Sequence, residues 1–112
     1  MGNDFESTDG IQRPTPESLR TLAAYLEISL EKGKSVIMIR RNTDACSIYI
    51  GNPADEDSAL SRQGTISNAM AGELLELTHV GLNRITVADQ TYRFFRSFTL
   101  VSDVGAVIFA PT

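Results

Sequence analysis

The run Lys34-Ser35-Val36-Ile37-Met38-Ile39-Arg40-Arg41 limits what this chain can fold into more than any other feature. Its centre is four consecutive apolar residues, three of them β-branched, and such side chains favour extended backbone. In a strand successive side chains alternate, so Val36 and Met38 share one face while Ile37 and Ile39 share the other. A strand apolar on both faces must be covered on both sides or lie at an interface.

The flanking segments show what can do the covering. Leu19, Leu22, Ala23, Leu26 and Leu30 recur at helical spacing and predict a helix over 16–32. Thr15 is placed to cap it, Pro16 to occupy its first turn, and Lys32-Gly33 to close it. Ile28 falls almost opposite the stripe with Tyr25 on its flank. These two are either scattered surface residues or a second contact face for a partner or twin subunit. After the loop Asn42-Thr43-Asp44, residues 46–50 alternate cleanly, which predicts a hairpin of 34–41 with 46–50. Asn52-Pro53 and the acids Asp55-Glu56-Asp57 read as the start of a short helical turn ended by Arg62 and Gly64. A second helix is expected over 66–79, capped by Ser67 or Thr65. Ile66, Met70, Leu74 and Leu77 form its buried stripe, joined by Ala69 and Val80, with Gly72 marking a close contact. The last thirty residues read as a three-stranded meander. Asp89-Gln90 turns the chain, Val87 lies opposite Tyr92 and Ile85 opposite Phe94, and a bulge or exposed edge is expected near 95–96 where Arg96 interrupts the pattern. The order α-β-β-α-β-β-β gives an α+β fold, with an antiparallel sheet of about five strands and two helices packed on it.

Composition narrows the class. The chain has 112 residues, of which 42% are apolar and 21% charged, with a formal net charge of −4. That suits one domain over 15–112 with its own core, behind a disordered tail at 1–14. Cys46 is the only cysteine, so no internal disulfide is available. No apolar run approaches the ~18–20 residues that span a bilayer. Residues 1–13 lack the basic and apolar stretches of a secretory signal, so cytoplasmic residence is expected, with signal-less export left open.

The catalytic repertoire is thin. One histidine, His79, and no Gly-x-Ser-x-Gly elbow leave no serine-hydrolase triad. A Cys46–His79 thiol dyad is the minimum alternative, but Cys46 alternates in phase with Ile48 and Ile50, the pattern of an inert buried thiol. One histidine and one cysteine do not make a transition-metal site, and the contiguous acids at 55–57 lack calcium-loop spacing. Neither phosphate-binding glycine motif is present. No metal or cofactor is expected.

Arg40, Arg41, Arg84, Arg93 and Arg96, with Tyr49 among them, form the main candidate binding constellation, because they fall on expected strands or strand ends. Arginines and aromatics on a sheet suit single-stranded nucleic acid, yet the RNP1 glycines are missing and the chain is acidic overall. An anionic peptide or protein surface is the more natural target. Ile37 and Ile39, with Tyr25 and Ile28, are the candidate interface residues. The leading expectation is a non-enzymatic binding or adaptor protein acting through a sheet surface or edge, with a protein partner or itself as a homodimer. The alternatives are a small enzyme or small-molecule binder using Cys46 and His79, and a single-stranded nucleic-acid binder.

Overall fold

The apolar run lies at the heart of a six-stranded sheet. The structure, a computed structural model, describes residues 15–54 and 59–112. The tail expected at 1–14 and the acids at 55–57 lie outside these residues. Helix α1 (Glu17–Lys32) is followed by strands β1 (Ser35–Arg40), β2 (Ala45–Gly51) and β3 (Ser61–Ser67). Helix α2 (Asn68–Leu77) then leads to β4 (Gly81–Val87), β5 (Gln90–Val101) and β6 (Val104–Pro111). The sheet order is β3-β2-β1-β6-β5-β4, and every neighbouring pair is antiparallel. The α+β class is as the sequence implies, with six strands instead of about five.

The additional strand is β3. Arg62 and Gly64 end no helical turn, because both residues lie in this strand. Asn52 does organise a turn, its Oδ1 accepting the Ala54 N–H at 3.0 Å, but the chain re-enters the sheet from Ser61. Edge strand β3 buries one residue, Ile66, so it carries no alternation from which a strand can be read.

The helix termini follow capping chemistry, with two departures. Gly33 adopts φ +66° and closes α1. Its N–H bonds Leu30 O while Lys34 N–H bonds Ser29 O at 2.9 Å, the reciprocal pattern of a left-handed helix end. At the other end Pro16, not Thr15, holds the cap position, and no side chain caps it. The Thr15 carbonyl instead accepts a bond from Arg20. For α2, Ser67 accepts the Met70 N–H at 3.1 Å, as expected. The helix is shorter than 66–79, however, and its buried residues are Ala71 and Leu74. Leu77 and Val80 are exposed by 46% and 70%, so neither extends the stripe. A Cβ on Gly72 would meet nothing within 4 Å, so that glycine marks no close contact.

Both helices pack on one face of the sheet. Leu22, Ala23 and Leu26 of α1 and Ala71 and Leu74 of α2 meet Val36, Met38, Cys46, Ile48, Ile50, Ile85, Val87, Phe94 and Phe109 in the main core. Phe94 and Phe109 are wholly buried and meet edge to face, with centroids 5.8 Å apart. Each such ring contributes about 2–3 kcal/mol by leaving water. On the opposite face Ile37, Ala106 and Ile108 form a smaller cluster, flanked by Ile39, Tyr49, Leu60, Val101 and Ala110. No helical residue joins it among the described residues.

The final meander keeps the expected faces but not the expected partners. Its first turn is Ala88-Asp89, both residues at positive φ (50° and 68°). Val87 therefore pairs with Gln90, Ile85 with Tyr92 and Asn83 with Phe94. A shift of two residues preserves the parity, so Ile85, Val87, Tyr92 and Phe94 still share the helix side. β5 runs through 95–96 without a bulge; the register shift in this sheet is between Ile48 and Tyr49. Arg96 breaks the apolar pattern because its Nη1 faces Leu75 O, Thr78 O and Thr78 Oγ1 at 3.1, 3.0 and 2.8 Å. A guanidinium there satisfies the last carbonyls of α2 and complements its dipole.

Candidate interaction surface on the open sheet face

Charge divides between the two sides of the sheet. The register places Tyr49 and Arg62 side by side on the face away from the helices, with Arg84 and Arg93 directly paired on that face at the other end. Arg41 joins them by donating from Nη1 to the Tyr49 hydroxyl at 3.1 Å. The strand positions on this face carry no carboxylate. Among the described residues the glutamates lie on α1 and α2, at positions 17, 27, 31, 73 and 76, and the aspartates lie in turns at 44, 89 and 103. Among the described residues the helices therefore carry a net negative charge, while arginine is the one charged residue type at the strand positions of the open face.

The cationic groups stand at both ends of an apolar centre. At the β2–β3 end, Arg62 donates to Thr65 Oγ1 at 2.8 Å, beside the Arg41–Tyr49 pair. Ser47 lies between them, fully buried, and its hydroxyl has no hydrogen-bond partner among the described residues. At the β4–β5 end, Arg84 opposes Arg93 and Leu82 opposes Phe95. Leu82 is 67% exposed, and a cleft of about 390 Å³ is lined by Leu82, Asn83, Arg84, Arg93 and Thr112. Like charges directly opposed across a strand pair destabilise it. Between the two ends lie Ile37, Ala106 and Ile108.

The arginine constellation therefore divides. Arg41, Tyr49, Arg84 and Arg93 reach the open face. Arg40 lies on the helix side of β1, bonded to Asn42 O at 3.2 Å, and Arg96 is engaged with α2. Arg62 is a member that sequence reasoning missed, having been assigned to a helix end. Its single signal is the Arg-x-x-Thr spacing, which a bulged strand and a helix share. Of the candidate interface residues, Ile37 is buried and Ile39 half-buried in the open-face cluster. Tyr25 and Ile28 are half-buried and pack against the main core, the Tyr25 hydroxyl seated over Gly64.

Cys46 and His79 are not brought together. The Cys46 thiol is buried and donates to Asn68 Oδ1 at 3.2 Å, at the start of α2. Burial raises its pKa, against a smaller opposing pull from the Arg40 charge. His79 is exposed and lies beyond the other end of α2, about 15 Å away along the helix. No three metal-ligating side chains cluster among the described residues. No described helix is long and apolar enough to cross a membrane. Comparison with family models, with curated proteins and with solved structures finds no match.

Proposed function

We propose that this protein is a non-enzymatic binding protein whose open sheet face holds an acidic, partly apolar protein partner. The observation that carries the reading is the charge pattern: Arg41, Arg62, Arg84 and Arg93 stand at the two ends of a face whose strands bear no carboxylate, with the exposed Leu82 and Phe95 beside the second pair. Complementary charge steers encounter and rejects partners of the wrong sign, while apolar contact supplies affinity. Single-stranded nucleic acid fits less well. The centre of the face is aliphatic and buried, and the Tyr49 hydroxyl is held by Arg41. Phe95 is thus the ring best placed for stacking, whereas such platforms offer several.

Capture from a native cell extract tests the reading. The wild-type chain is expected to retain partners that R84E/R93E loses and that E27K, altered on the helical side, keeps. Identical captured sets from all three would refute it.

A second reading, homodimerisation, is favoured by an apolar strip elsewhere. Phe98 and Leu100 continue the helix side of β5 past α2 and are 69% and 62% exposed. Light scattering behind size exclusion distinguishes the states, and F98S/L100S is expected to return any dimer to monomer.

A further inference from the structure

We infer that β4 is the docking edge for an extended acidic segment of the partner, which adds to the sheet as a further antiparallel strand. The inference rests on the open-face reading and names the partner's chemistry. β4 pairs with β5 on one side, and its other side is a sheet edge. The two-residue turn at Ala88-Asp89 is closed by the pair Val87–Gln90, after which hydrogen-bonded pairs alternate at 85–92, 83–94 and 81–96. Leu82, Arg84 and Thr86 therefore direct their backbone N–H and C=O groups outward, where no described residue pairs with them. The side chains of the same three residues lie on the open face. A strand added here gains main-chain bonds and side-chain neighbours from one set of residues.

Arg84 decides what can be added. β4 has no proline and no bulge, so its edge is regular, unlike the irregular β2–β3 pairing. Its one guard is charge. Self-pairing over the full length of the strand would set Arg84 against Arg84 of a second copy, a repulsive pair. An acidic residue in the same position instead relieves the standing repulsion between Arg84 and Arg93. In antiparallel register the occupant carries Asp or Glu beside Arg84 and an apolar residue two positions later, beside the exposed Leu82.

Nuclear magnetic resonance of the isotope-labelled full chain tests this with short blocked peptides. One has glutamate at its centre and leucine two positions on; the other has lysine for the glutamate. The glutamate peptide is expected to shift the amides of Leu82, Arg84 and Thr86 and to slow their hydrogen exchange, and the lysine peptide to bind about tenfold more weakly. R84E is expected to reverse that preference and the milder R84Q to abolish it. Equal binding of the two peptides, or no binding by either, overturns the inference. Shifts confined to Ile39, Tyr49 and Arg62 overturn the edge but leave the open-face reading standing, whereas shifts confined to the helical side overturn both. A single-stranded oligonucleotide that displaces the glutamate peptide from β4, with a steeper salt dependence, overturns it in favour of nucleic acid.

Discussion

Arg96 interrupts an apolar alternation that runs from Tyr92 through Phe94 to Phe98, and its partners account for the break. One guanidinium nitrogen faces two carbonyls and a hydroxyl at the end of α2. Bonds of this kind to a charged donor are worth about 1.5–3 kcal/mol. R96A is therefore expected to lower unfolding stability by about 2 kcal/mol in urea titration, with R96K in between. Neighbouring phenylalanines should differ more sharply. Phe94 is wholly buried against Phe109 while Phe98 is 69% exposed. F94A is expected to cost about 3–5 kcal/mol and F98S less than about 0.5 kcal/mol, both read from denaturant midpoints. Cys46 sets a pH response. Its folded pKa is raised, chiefly by burial, so the neutral thiol is favoured in the native state. The associated stability is fully present below the ordinary thiol range and is lost as pH rises through the higher folded value. Stability is expected to fall on alkaline titration, and C46A to remove the thiol's share of that fall.

The elements were legible in proportion to how many residues each one buries. β1 and α1 stand close to where periodicity puts them, although the α1 stripe ends at Leu26, with Leu30 51% exposed. β3 buries only Ile66, so its sequence carries no alternation that marks a strand. α2 is shorter than its periodicity implies, because Leu77 and Val80 match a helical period that no neighbour covers. On the open face, Arg41, Tyr49, Arg84 and Arg93 were visible as strand arginines and an aromatic. Their separation from Arg40 and Arg96 was not visible, since face assignment depends on a register that the turns set. Those turns are unusual in sequence. Ala88-Asp89 and Ser102-Asp103 all take positive φ, a conformation that Asn-Gly adopts at lower cost. A88N/D89G and S102N/D103G are each expected to stabilise the chain by about 1 kcal/mol, measurable as a rise in melting temperature.

At the scale of the molecule the net charge of −4 conceals a sheet face whose charged strand residues are all arginines. A patch, not a net charge, governs adsorption at short Debye length. The wild-type chain is expected to be retarded on a sulfonate cation exchanger at neutral pH and about 0.1 M salt, where the Debye length is about 10 Å, and R84E/R93E to flow through. The sheet order has a further consequence, in the time domain. β1 finds one of its two partners in β2, a few residues on, but the other, β6, lies about seventy residues later, with Val36 against Phe109. At ribosomal rates of about 5–20 residues per second, this strand, apolar on both faces, waits several seconds with one edge unpaired. During that interval the nascent chain presents an adhesive flank that the finished protein conceals. Its yield in a cell should therefore depend on how synthesis is paced and chaperoned, in addition to native stability.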